Sequence, residues 1–104
     1  MPTFYIKKGD TAPPLRAFLR QRDGTPISLT TATVVFHMDN GKVADGPVTI
    51  LDADLGKVEY PWQAASTNTA GTFNGEFEIT DGGKDQTVPS NGYIIIKILD
   101  DQKA

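Results

Sequence analysis

The sequence predicts an all-β domain, an immunoglobulin-like β-sandwich of about seven antiparallel strands. Three observations carry the prediction. Turn-forming clusters recur roughly every ten to fifteen residues along the 104-residue chain. The apolar runs between them alternate with period two, the repeat of a half-buried strand. Only Ala64–Ala70 could be helical, and its Ser and Thr residues limit it to a turn or two.

The punctuation is specific. Lys8-Gly9-Asp10, Asp23-Gly24-Thr25-Pro26, Asp39-Asn40-Gly41-Lys42, Asp45-Gly46-Pro47, Asp52-Ala53-Asp54-Leu55-Gly56, Ala70-Gly71, Asp81-Gly82-Gly83-Lys84 and Ser90-Asn91-Gly92 all read as turns. Gly supplies positive φ, Pro fixes φ, and Asp and Asn bond nearby backbone.

Seven runs lie between these turns. Thr3–Lys7 is short and edge-like. Leu15–Gln21 sets Leu15, Ala17 and Leu19 against Arg16, Phe18 and Arg20. Thr33–Met38 turns Val34, Phe36 and Met38 inward and Val35 and His37 outward. Val48–Leu51 is brief. Lys57–Trp62 points Val58, Tyr60 and Trp62 one way. Thr72–Thr80 points Phe73, Phe77 and Ile79 inward and Asn74, Glu76 and Glu78 outward. Tyr93–Leu99 is apolar on both parities. One domain over 1–104 is expected, with residues 1–8 as a detachable N-terminal strand and 100–104 as a frayed tail. The detachable strand is read from the break at Gly9 to Pro14: Pro13-Pro14 cannot donate ladder bonds and forces an extended or kinked entry into the second run. The first strand could then add to a neighbour's edge.

Composition narrows the function. Hydrophobic residues at 38% and charged residues at 22% fit a folded chain. The absence of cysteine excludes disulfides, thiolate metal sites and cysteine nucleophiles, and suits assembly in a reducing cytosol. With a net charge of −3 and no basic run, nucleic acid is not an expected partner. No apolar run approaches the ~20 residues of a membrane span. The opening MPTFYIKKGD lacks the order of a signal peptide.

No catalytic, cofactor or metal site is expected. His37, the single histidine, reads as a surface residue; a general base or metal ligand needs partners the sequence does not supply. Asp52 with Asp54, and Asp39-Asn40, suggest calcium, but that ion wants six to eight oxygens, and turn capping is the simpler account. Glu76 and Glu78 share one strand face, whereas glycosidase acids face each other across a cleft. Tyr60, Trp62, Phe73 and Phe77 could form a sugar-stacking platform, but they share the parity of the core.

The informative residues are apolar ones on the outward parity. Phe18 and Val35 oppose inward neighbours, and the last run is apolar on both sides. Such a strand is covered on both faces or contacts a partner. The candidate interface residues are Tyr5, Phe18, Val35, Tyr93 and Ile95.

Several segments, read in order, carry a resemblance. They are Phe4-Tyr5-Ile6-Lys7-Lys8-Gly9-Asp10-Thr11-Ala12-Pro13-Pro14-Leu15-Arg16-Ala17, Asp23-Gly24-Thr25-Pro26-Ile27-Ser28-Leu29-Thr30, Ala32–Met38, Asp52–Tyr60 with Trp62, Thr69–Phe77 and Pro89-Ser90-Asn91-Gly92-Tyr93. Together they resemble the N-terminal immunoglobulin-like domain of phage baseplate upper proteins, the BppU type, over nearly the whole chain.

The resemblance implies a structural protein of a tailed-phage virion, assembled in the host cytoplasm. Its partners would be other virion proteins of the tail, baseplate, neck or capsid surface, with a homo-oligomer as a further expectation. In the larger relatives a helical linker and a receptor-binding platform follow this domain. Here the chain stops after it, as a short stand-alone version would, which leaves attachment or assembly as the expected role. The alternative is a carbohydrate-binding adhesion module on the virion surface. That reading requires two or more exposed aromatics together, and the sequence nominates Tyr5 and Phe18.

Overall fold

Two sheets face each other across an aromatic core in the computed structural model, which describes residues 3–39, 44–89 and 92–100. The turn expected over 40–42, the Ser-Asn part of the turn at 90–92, the tail beyond Asp100 and the first two residues of the N-terminal segment lie outside the described residues. The strands are β1 (Thr3–Lys7), β2 (Leu15–Phe18), β3 (Thr33–Met38), β4 (Ala44–Pro47), β5 (Thr49–Asp52), β6 (Lys57–Tyr60), β7 (Gly71–Asp81), β8 (Lys84–Val88) and β9 (Ile94–Leu99). A single 3-10 turn, Ala64–Ser66, is the only helical piece among the described residues, within the turn or two expected.

The larger sheet has the order β1-β9-β7-β3-β4, with β8 also on β7; the smaller has the order β2-β6-β5. The architecture is the immunoglobulin-like sandwich the alternation predicts, with two differences in detail. Among the described residues the strands number nine, because Ala44–Pro47 and Lys84–Val88 pair as well. And β1 runs parallel to β9, Thr3 opposite Ile95 through Lys7 opposite Leu99. Within the segment expected to be detachable, Thr3–Lys7 lies in the sheet, with Ile6 buried and the Phe4 ring stacked 5.7 Å from Trp62.

The 11-residue β7 organises the larger sheet. One edge pairs with β3 from Gly75 to Thr80. The other pairs first with β9, over Gly71–Gly75, and then with β8, over Phe77–Asp81. β8 and β9 therefore lie end to end along the same side. The Asp81–Lys84 hairpin closes through Gly82-Gly83, as the turn reading expects. Asp45-Gly46-Pro47, expected as a turn, instead belongs to β4 and pairs with β3. Proline is tolerated there because β4 is an edge. The chain then changes sheets at Val48, whose N–H donates to the Val34 carbonyl (3.2 Å) before β5 begins.

The predicted inward parities hold. Val34, Phe36, Met38, Val58, Tyr60, Trp62, Phe77 and Ile79 are buried, as are Leu15 and Leu19. Phe73 and Ala17 are half-buried against this core. The aromatics Tyr60, Trp62 and Phe77 are packing residues around Phe36, not a sugar platform. Trp62 Nε1 has no hydrogen-bond partner among the described residues, so this side chain contributes through its ring faces.

The β1–β2 connection is tied down by Thr67, which is fully buried. Its hydroxyl donates to the Asp10 carbonyl (2.8 Å), and its own carbonyl accepts from the Gly9 N–H (2.8 Å). Thr67→Val keeps the shape and removes the hydroxyl that donates to the Asp10 carbonyl. It should cost about 1–3 kcal/mol, read as a lower urea midpoint.

Candidate docking surface

The outer face of the larger sheet follows from strand alternation. In β9, Ile94, Ile96 and Ile98 are buried, which resolves the parity of the last run. Ile95, Lys97 and Leu99 point outward, with Tyr93 just before them. Tyr5 lies opposite Lys97 on β1, and the Lys97 ammonium sits 5.9 Å from its ring. Tyr5, Tyr93 and Leu99 are 58%, 46% and 40% exposed, large values for apolar rings and leucine on one sheet face. Ile95 is half-buried between Thr3 and Asn74 in register.

The five nominated residues do not form one patch. Tyr5, Tyr93 and Ile95 gather on β1 and β9. Val35 is on the same face but lies across β7, half-buried between Glu78 and Pro47 in register. Phe18 points outward as expected but from the smaller sheet, 50% exposed, with Arg20 at 5.5 Å and Lys57 at 5.7 Å from its ring. Alternation shows which way a side chain points and not which sheet it belongs to. Tyr5 and Phe18 therefore cannot be the paired aromatics of the carbohydrate reading. Leu51 and Leu55, also exposed, were not foreseen; no outward parity marks the Asp-Ala-Asp-Leu-Gly turn that holds Leu55.

Tyr93 stands between two clefts. One, of about 80 Å³, is lined by His37, Asp39, Asn74 and Glu76. The other, shallower and about 550 Å³, is lined by Glu76, Gln86, Thr87, Pro89 and Gly92. A third groove, of about 230 Å³, runs beside Tyr5, Lys7, Pro13 and Leu99. The first cleft is held in shape by two bonds. The Asp39 N–H donates to the Asn74 carbonyl (2.9 Å), and the Asp39 carboxylate accepts from the Asn74 N–H (3.2 Å).

The other candidates resolve into structural roles. His37 points outward, but its Nε2 is 3.2 Å from the Glu78 carboxylate, so it is an engaged residue of the face and not an isolated surface histidine. Asp52 accepts from the Leu55 N–H (3.2 Å), the turn-capping role. Asp23 accepts from the Thr25 N–H (3.0 Å) and then its hydroxyl (2.7 Å). These two bonds hold its carboxyl below the usual carboxylate range. The face offers aromatic and aliphatic contact with hydrogen-bonding groups around it, the equipment of a recognition surface.

The class this structure defines is the immunoglobulin-like β-sandwich, here with one open sheet face. More particularly, the chain belongs to the BppU N-terminal domain family, which matches residues 4–102. That family is a structural domain of phage baseplates, and membership supports a structural role in a phage virion. Among solved structures, the chain is similar to the N-terminal domain of phage TP901-1 ORF48. The TM-score is 0.58 at 13% identity, covering 98% of this chain and 85% of that one. At that identity the likeness speaks to the fold. The comparison with curated proteins gives no match.

Proposed function

We propose that this chain is an attachment module of a tailed-phage virion, and that it works by docking the outer face of its larger sheet on another virion protein rather than by catalysis. The single observation that carries the reading is the gathering of Tyr5, Tyr93, Ile95 and Leu99 on the β1–β9 side of that face in a member of a baseplate domain family. A monomeric fold gains nothing from exposing these side chains, whereas a docked one removes them from water. Aromatic residues at the centre of an interface commonly carry most of its binding free energy.

The test is particle incorporation. Ile95→Asp places a charge in the middle of the face while leaving the inward residues of β9 untouched. The variant should fold, with an unchanged β-sheet circular dichroism spectrum. Its copy number in purified virions, measured by quantitative mass spectrometry, should fall at least tenfold, the loss that about 1.4 kcal/mol produces. Incorporation at the native level would defeat this placement of the interface. Absence of the unmodified chain from virions would defeat the functional reading itself.

A further inference from the structure

We propose that β1 is a self-pairing edge, so that two copies of this chain join antiparallel through Thr3–Lys7 about a two-fold axis at Tyr5 and continue the larger sheet from one molecule into the next. The occupant of the edge is a second copy of the chain, and the inference goes beyond virion attachment.

Backbone parity suits this pairing. The Lys8 N–H donates to the Leu99 carbonyl (2.7 Å), so even-numbered residues of β1 direct their backbone groups toward β9. Successive residues of a strand alternate. Thr3, Tyr5 and Lys7 therefore present their N–H and C=O groups to the open edge. The Lys7 carbonyl points the same way but already accepts from the Asp10 N–H (3.1 Å), so at that residue the N–H is what a second copy would meet. A two-fold axis at Tyr5 sets these same residues against each other: Tyr5 with Tyr5, Thr3 with Lys7.

The side chains are complementary as well. In that register Phe4 faces Ile6 of the second copy on the core side. The half-buried Phe4 ring then gains apolar cover. On the outer side the two Tyr5 rings lie side by side, an aromatic cross-strand pair of the stabilising kind. Lys7, the one charge in the strand, meets Thr3 and not another lysine.

Among the described residues the other edges are more heavily guarded than this one. β4 carries Gly46 and Pro47. β5 has a register irregularity between Ile50 and Asp52. β2 is four residues long and follows Pro13-Pro14. β8 carries Lys84 and Asp85. Charges, prolines, bulges and short length are the usual devices against edge pairing. β1 has five regular residues with no proline, glycine or bulge, and a five-residue pairing of this kind is a small interface.

The test uses the purified chain in light scattering after size exclusion, with amide exchange by NMR. The mass should rise with loading from 11.2 kDa toward twice that value. Tyr5→Lys and Tyr5→Glu should each stay at the single-chain mass through like-charge contact at the axis, and an equimolar mixture of the two should recover the double mass. Phe4 and Ile6 amides should be protected at every concentration, and the Tyr5 amide only as concentration rises. A single-chain mass at loads up to about 1 mM, a double mass that survives in both charge variants, or a Tyr5 amide insensitive to concentration would overturn the proposal. None of these results would bear on whether the chain is found in virions.

Discussion

Phe36→Ala should remove about 3–5 kcal/mol of stability, the range for truncating a fully buried phenylalanine. Domains of this kind have only about 5–15 kcal/mol in total, so the variant should be close to unfolding at ambient temperature. Phe36 is fully buried, and it joins the two layers. Its ring lies 4.7 Å from Tyr60 and 6.0 Å from Trp62 on one side, and 5.1 Å from Phe77 in its own sheet. Truncation therefore opens a cavity between sheets, where neither can shift without breaking register. Urea denaturation should show a much lower midpoint with little change in slope. The site also contains its own control. A Cβ on Gly75 would sit 2.8 Å from the Phe36 ring, so Gly75→Ala is destabilising alone. In the Phe36→Ala background that methyl enters the vacated space, and the two effects should be strongly non-additive. Additive losses would mean that Phe36 is not the residue that Gly75 accommodates.

Gly56→Ala should cost about 2–4 kcal/mol, measured in the same way. Three segments meet at this glycine. The Leu19 N–H donates to the Gly56 carbonyl (2.8 Å), and the Ile27 N–H donates to the Leu19 carbonyl (2.9 Å). A Cβ at position 56 would lie 2.5 Å from the Leu19 oxygen and 2.9 Å from the Ile27 oxygen. Both obstacles are backbone and cannot rotate away. The φ of +67° adds the left-handed penalty for a residue with a side chain. Gly24 separates the two contributions. Its φ is +91° with nothing within 4 Å, so Gly24→Ala should show only the conformational part, about 1–2 kcal/mol. Equal losses at the two positions would rule out the clash as the dominant cause.

The strands that build the core were legible in the sequence because burial on one face writes itself as alternation. Val34-Val35-Phe36-His37-Met38 and Phe73 through Ile79 disclose both strand and facing. β4 and β8 were not legible for the same reason. Ala44–Pro47 reads Ala-Asp-Gly-Pro and Lys84–Val88 brings only Val88 to the core, so neither has an apolar period to read. The parallel β1–β9 pairing was hidden too, since alternation is identical for either strand direction. At the candidate surface, the sequence showed that Phe18, Val35 and one parity of Tyr93–Leu99 had no inward place. Whether those residues share a face depends on which sheet each strand joins. That is decided by the crossings at Val48 and at Gly9 to Pro14, and those segments have no period that indicates the destination.

The side-by-side, same-direction placement of the first and last strands has a mechanical consequence. A tension pulling the chain outward before Thr3 and after Leu99 would drive β1 and β9 to slide lengthwise past each other. Every hydrogen bond between them would be strained at once instead of being peeled one by one. Unpeeling breaks links in sequence at low force; sliding requires them all to yield together. The joint is therefore stiffest along the direction of these two strands.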